Sequence, residues 1–376
     1  MKYMENSKLL IISIAATILL LGTIRLTTEP DTSYTLDTER PSTTQDNSEA
    51  VNRTIETVTT DLKVPWDIEF LPDGDMLVTE RPGQLLRIGE NNTAYEIEGV
   101  ESVGEGGLLG IEKHPEFEEN RFIYIYQTTE TGEGLTNRVM RYRLKDDELS
   151  SPETIIDGIP GAIYHDGGAL AFGPDGYLFI TAGDATEKQE SQETESLNGK
   201  ILRLNPNGSI PDSNPFDNPI YSYGHRNPQG LTWDSQGRMW ATEHGSTATD
   251  EINMIEKGTN YGWPIIRGNE KQGDMRAPVR HSGDNTWAPA GVHYVNNSLY
   301  FTGLRGEGLY KSDIQDGELS QVGKYLDGKY GRLRAIAEGP EGDLYISTSN
   351  RDGRGQPAQE DDRILRINIE SLDNPE

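Results

Sequence analysis

No cysteine occurs among the 376 residues. Disulfides, thiolate catalysis, cysteine-ligated zinc and a lipid anchor on cysteine are therefore excluded. Basic residues are also scarce: 34 Lys and Arg stand against 62 Asp and Glu, a net charge of −28. A nucleic-acid binder needs a basic surface to meet the phosphate backbone, so that class is set aside. An acidic excess of this size instead keeps a protein soluble and monomeric. Helical periodicity is missing as well, because no segment carries an apolar stripe over more than two turns.

Only one long hydrophobic run exists. Leu9 to Ile24 is apolar apart from Ser13, Gly22 and two threonines, and Lys2 and Lys8 precede it. Residues 1–26 read as a signal peptide or a short signal anchor, which places the rest of the chain outside the cytoplasm, secreted or anchored at the outer face. Residues 27–60 are rich in Thr, Ser, Asp and Glu with few large apolar side chains. They read as a disordered, solvated linker, with the folded domain spanning 61–370.

What is present in abundance is a repeating hairpin. In Tyr164–Asp184, Gly173-Pro174-Asp175-Gly176 is a type I turn signature between two apolar segments, Ala169–Phe172 and Tyr177–Thr181. Related turns lead into Asp75–Thr79, Phe122–Gln127, Arg238–Thr242, Ser298–Thr302 and Asp343–Ser347, and a further short strand follows each. Six units spaced about 43 to 62 residues apart suit four strands each, so the expected fold is an all-β six-bladed propeller with its site at the central channel. An irregular sandwich or barrel is the competing architecture.

Six histidines occur, none in a zinc-binding spacing such as H-E-x-x-H. His165 stands just before Gly167 and Gly168, where backbone or ligand can approach closely; a loop histidine bonded to a neighbouring blade would look the same. Arg226-Asn227 sits in a tight Gly/Pro loop. Asp250 and Glu251 lie among loop carbonyls of the kind calcium prefers. Arg305, Arg332 and Arg334 lie in glycine-containing loops of a very acidic chain, which suggests either a polyanion site or pairing with nearby carboxylates.

Several segments carry a more specific resemblance. They are V-P-W-D-I-E-F-L-P-D-G at Val64, G-E-G-G-L-L-G-I-E-K-H-P-E-F, H-D-G-G-A-L-A-F-G-P-D-G, N-G-K-I-L-R-L-N and Y-G-H-R-N-P-Q-G-L. After these come E-H-G, D-E-I-N, N-Y-G-W-P, W-A-P-A-G, G-R-L-R and D-R-I-L-R-I. In this order, over about 300 residues, they resemble the soluble quinoprotein aldose sugar dehydrogenases of the glucose/sorbosone dehydrogenase family, which use pyrroloquinoline quinone (PQQ). The resemblance implies a six-bladed propeller that oxidises an aldose sugar at C1 to the lactone and passes electrons to an external acceptor.

The same resemblance implies roles for individual residues. His165 would be the general base, and Arg226 and Asn227 would meet the quinone oxygens. Arg305, Arg332 and Arg334 would neutralise the cofactor carboxylates. The carbonyls of Gly245 and Ser246 would hold a Ca²⁺ that also binds PQQ, while Glu251 and the Tyr261 carbonyl would hold a second, structural Ca²⁺. Glu105 and Tyr164 would flank the sugar. They stand where some relatives have glutamine and where glucose-specific ones have aspartate, so the sugar preference is not carried over. A calcium-dependent propeller lactonase and a non-catalytic extracellular binding module are the competing functions.

Overall fold

The computed structural model describes residues 55–372. The signal segment 1–26 and most of the expected linker lie outside these residues. Strands group into six antiparallel sheets, each a blade. The first blade is Pro65–Phe70, Met76–Glu80, Gln84–Ile88 and Thr93–Glu96, and the second is Leu108–Lys113, Phe122–Thr131, Gly134–Lys145 and Glu148–Pro160. The third is Leu170–Phe172, Leu178–Ala182, Lys200–Leu204 and Ile220–Tyr223; the fourth is Pro228–Trp233, Met239–Glu243, Glu251–Ile255 and Arg280–His281. In the fifth, Pro289–Val295, Ser298–Gly303 and Gly308–Gln315 are followed by two short strands, Glu318–Leu319 and Gly323–Tyr325, that both pair with the third.

The sixth blade corrects the expected domain boundary. Leu333–Glu338, Leu344–Thr348 and Ile364–Ile367 take their outermost strand from the other end of the domain, Ile55–Thr59. Ile55 pairs with Ile367, and Thr57 with Leu365. The propeller thus begins before residue 61, within the stretch read as linker. Glu56, Thr57 and Val58 are exposed because the strand is a blade's outer edge, so its composition resembles that of a spacer.

The repeating turn forms for a local reason. The amides of Gly74, Gly176, Gly237 and Gly342 donate to the carbonyls of Leu71, Gly173, Asp234 and Gly339 at 2.9–3.0 Å, closing four equivalent turns. Each of these glycines has φ between 75° and 92°, a conformation costly for any residue with a Cβ. In the fifth blade Asn296 and Asn297, at φ 50° and 63°, make the two-residue hairpin instead, as asparagine tolerates this region.

Blade packing explains the apolar second strands. Met76–Glu80, Leu178–Ala182, Met239–Glu243, Ser298–Gly303 and Leu344–Thr348 are buried at every position, since each is covered by blades on both faces. Their buried hydroxyls join neighbouring blades. Thr79 donates to the Leu109 carbonyl at 2.6 Å, Thr242 to Ala290 at 2.7 Å, Thr302 to Arg334, and Ser347 to Pro65 at 3.2 Å. The last of these bridges the sixth blade to the first.

The inner strands surround a cavity of about 290 Å³ whose lining includes Asp67, Glu69, Glu112, Lys113, Gln229, His293, Arg334 and Glu338. Burial chiefly, against two backbone amides, pushes the Asp67 carboxyl up to about 7. Loops that enter the inner strands and leave the second strands share one end of the ring, and the candidate residues sit there.

Candidate active site

His165 precedes the inner strand of the third blade, and Asp184 follows the second strand of the same blade. His165 Nδ1 and Asp184 Oδ1 are 2.7 Å apart. Arg226, ahead of the fourth blade, places Nη2 2.9 Å from His165 Nε2. A guanidinium can only donate, so Nε2 is the acceptor and Nδ1 carries the proton that goes to Asp184. The tautomer is therefore dictated by its partners. It leaves the basic lone pair on Nε2, with a buried carboxylate behind the ring to stabilise an imidazolium.

Asp184 is itself fixed. Its Oδ2 accepts the Trp263 indole N–H at 2.8 Å, and Oδ1 also accepts the Thr186 amide at 2.9 Å. Arg226 is braced by its Nη1 donating to the His244 carbonyl at 3.2 Å and by the Trp263 ring 5.5 Å away; its amide donates to Glu243. Asn227 is fully buried: Oδ1 accepts the Gly167 amide at 3.1 Å, while Nδ2 has no partner.

Glu105 and Tyr164 lie beside the base. The His165 amide donates to Glu105 Oε2 at 2.9 Å, and Arg354 Nη1 donates to Glu105 Oε1 at 2.8 Å. Burial would raise the Glu105 carboxyl, but the His165 amide, nearby His244 and Arg354 outweigh it and hold it down at about 2. Tyr164 is exposed, with the Arg354 guanidinium 5.6 Å from its ring. A depressed carboxylate stabilises the fold above its unfolded pKa of about 4.5 and loses that effect as pH falls toward 2. Glu105→Gln should thus cost up to about 3 kcal/mol more at pH 7 than near pH 2. Denaturant midpoints of both proteins between pH 7 and 3 check this; a gap that does not narrow as pH falls would contradict it.

The arginines divide. Arg332 is buried and paired to Asp352, its Nε and Nη2 lying 3.0 and 2.6 Å from Oδ2. Arg334 is also buried, but has only a 3.3 Å bond from Nη1 to Gln229 and the Trp66 ring 5.1 Å away; its Nε has no partner. Burial presses the Arg334 guanidinium down to about 9, Arg81 and Arg332 adding to the effect and Asp352 opposing it. Arg81 is another member of the cluster, with its own Nε buried and unpartnered. Such a group gains from a bound polycarboxylate, which would supply the missing acceptors and relieve the crowded charge. Arg305 is exposed in the turn after Ser298–Gly303. That turn is anchored to the fourth-blade loop: the Leu304 and Gly306 amides bond Ala288 and Trp287, whose own amides bond Asp250 Oδ2.

Asp250 also closes the loop holding Gly245 and Ser246, accepting the Gly245 amide on Oδ1 at 2.8 Å. The carbonyls of Gly245 and Ser246 accept none of the backbone hydrogen bonds among the described residues. Glu251 is pushed up to about 8, by burial first and then by Glu243, and the side-chain Oδ1 of Asn253 beside them is buried without a partner. Hard oxygens crowded in this way fit a divalent cation. Among the described residues no three His, Asp or Glu side chains converge as a metal site, so a cation here would need backbone carbonyls besides any single carboxylate. The Tyr261 hydroxyl is engaged, donating to the Met254 carbonyl at 2.6 Å, and its ring stacks on His225.

Sequence reasoning missed Asp184, Trp263, Arg81, Asp352 and Arg354. Asp184 ends the stretch Tyr164–Asp184 and Trp263 lies within the motif N-Y-G-W-P. Arg81, Asp352 and Arg354 follow second strands at the site end, a position shared with Asp184.

Comparison with known proteins agrees with this architecture. The family model for glucose/sorbosone dehydrogenases matches residues 62–365. Aldose sugar dehydrogenase YliI of Escherichia coli is 31% identical over 338 residues, covering 80% of this chain and 91% of that protein. Quinoprotein glucose dehydrogenase B of Acinetobacter calcoaceticus is 35% identical over 249 residues, 56% of this chain and 52% of that one. The PQQ-bound structure of the aldose sugar dehydrogenase from Streptomyces coelicolor superposes with a TM-score of 0.79 at 39% identity, covering 83% of this chain and 97% of the other. With the propeller, the site-end loops and these matches in agreement, the chain belongs to the glucose/sorbosone dehydrogenase family.

Proposed function

We propose that this protein is a PQQ-dependent aldose dehydrogenase that oxidises the sugar at C1 to the lactone, with Ca²⁺ as a second cofactor and an external electron acceptor. The observation that carries the reading is His165, locked in one tautomer between Asp184 and Arg226 beside arginines with unused N–H groups. The PQQ-bound relative and the quinoprotein relative support the choice of cofactor.

Arg334, with Arg332 and Arg81 around it, would hold the cofactor carboxylates, and Arg305, exposed in the turn after Ser298–Gly303, would be a further cation for them. The unpartnered Asn227 Nδ2 and the Arg226 guanidinium would meet its quinone oxygens. The Gly245 and Ser246 carbonyls would hold the cofactor-side Ca²⁺, and Glu251 with the Tyr261 carbonyl would hold a structural one. Bound PQQ would supply the two-electron acceptor for the hydride leaving C1. His165 Nε2 takes the proton from the C1 hydroxyl, and Asp184 stabilises the imidazolium that results. Arg226 must move off Nε2 for that transfer, since the lone pair cannot serve both. Glu105 and Tyr164 border the sugar.

The test is reconstitution. Purified cofactor-free protein is given PQQ and Ca²⁺ and assayed with a panel of aldoses and a dye acceptor; dye reduction that requires PQQ is expected. Folded protein that reduces no dye with any aldose would remove the dehydrogenase reading and leave a calcium-dependent lactonase or a binding module. The apolar run Leu9–Ile24 supports placement outside the cytoplasm.

A further inference from the structure

The His165 backbone is itself held in an unfavourable state. Its φ is 66°, the left-handed region that is costly for a residue with a Cβ. Two contacts fix it: its amide donates to Glu105 Oε2, and its carbonyl accepts the Ala185 amide at 3.2 Å. Glu105 grips the same segment twice, because its own amide donates to the Ile163 carbonyl at 3.1 Å, bracketing Tyr164. A Cβ on neighbouring Gly104 would lie 2.0 Å from that carbonyl, so the two backbones are pressed together.

What keeps the Glu105 carboxylate aimed at His165 is Arg354, 249 residues away in sequence. Arg354 lies in the loop after Leu344–Thr348, its amide donating to Asp352 Oδ1 at 2.8 Å. Asp352 Oδ2 is the partner of Arg332. A continuous polar chain thus runs Arg332, Asp352, Arg354, Glu105, His165, from the arginine cluster to the base, and Arg354 caps it over the Tyr164 ring.

We propose that Arg354 is a positioning residue for His165, acting through Glu105 to hold the strained backbone that aims the imidazole at substrate. The proposal rests on the dehydrogenase reading for its kinetic consequence. Losing the guanidinium frees Glu105 Oε1 and lets the carboxylate turn from the His165 amide, so the base is misplaced. Misplacement acts on the chemical step, because near-attack geometry sets its rate.

Arg354→Ala is expected to lower kcat about tenfold with KM changed less than about threefold, and Arg354→Lys to restore kcat to within about threefold of wild type. A raised KM with unchanged kcat would instead make Arg354 a sugar contact and overturn the proposal. The second readout is the Glu105 carboxyl, followed by ¹³C NMR on the cofactor-free protein. Glu105 also faces His244, Arg81, Arg226, Arg334 and Asp166, all of which stay in place in these variants. Its titration should move up toward the ordinary carboxylate range in Arg354→Ala and return in Arg354→Lys; an unmoved titration overturns the linkage. This arm needs no cofactor. It therefore decides the linkage even if the wild-type protein oxidises no aldose, a result that would sink the functional reading instead.

Discussion

Replacing His165 with glutamine is expected to lower kcat by about 10³-fold while cofactor affinity stays within about threefold of wild type. Glutamine can still accept from Arg226 and donate to Asp184, so the hydrogen-bonded frame survives. What disappears is the imidazole lone pair that takes the proton, since a neutral amide is not a base. General-base catalysis contributes roughly 10² to 10⁴ in rate, and the Asp184–His165 pair places this group above the lower end of that range. Steady-state kcat at saturating sugar and a PQQ titration of the cofactor-free variant measure the two quantities. Turnover within about tenfold of wild type would remove His165 from the proton transfer.

Arg334→Met should have opposite effects on binding and on the cofactor-free fold. The Arg334 charge is buried with one long hydrogen bond and an unsatisfied Nε, and burial and its cationic neighbours already press on it. Methionine fills similar space against Trp66 without a desolvated charge, so the cofactor-free protein should be as stable as wild type or more so. Cofactor affinity should fall about 100-fold, or about 2.7 kcal/mol, because a charge-assisted contact to a carboxylate is lost from a dry site. PQQ titration and thermal unfolding of the cofactor-free proteins report the two. Unchanged affinity would count against the polyanion assignment, and a large loss of stability would make Arg334 a structural ion instead. Arg332→Met should behave differently: it strands the buried Asp352 carboxylate, so destabilisation should accompany any loss of binding.

This contrast shows why the arginines could not be sorted from sequence. Arg332 and Arg334 are two residues apart in one glycine-flanked motif, yet one is neutralised by Asp352 and the other is left with unused donors. The partner comes from a loop beyond the next strand, and no local pattern marks it. The choice between polyanion site and internal pairing, open in sequence, has a different answer for each residue.

The ring was legible because its signals are local. A Gly-Pro-Asp-Gly turn needs its last glycine at positive φ, whatever the rest of the chain does. A strand covered on both faces must be largely apolar, so Leu178–Ala182 and its four fully buried counterparts stand out in an acidic chain. Recurrence of a turn followed by a short apolar strand in each of six units determined the architecture, and the lack of cysteine and excess of acid determined which chemistries were open. His165 was visible for the same kind of reason, beside glycines that admit close approach.

Tertiary structure alone decided the rest. Closure of the ring joins Ile55–Thr59 to Ile364–Ile367 across the full domain, and an exposed edge strand carries no apolar signature. The protonation pattern of His165 depends on Asp184 and on Arg226, 61 residues away, and its backbone depends on Glu105 and Arg354 from two other blades. Hydrogen bonds and charge pairing act through space over about 3 Å, whereas sequence periodicity reports only which face a residue turns to its own strand's neighbours. A propeller brings six distant loops to one end, and the chemistry is made by that convergence.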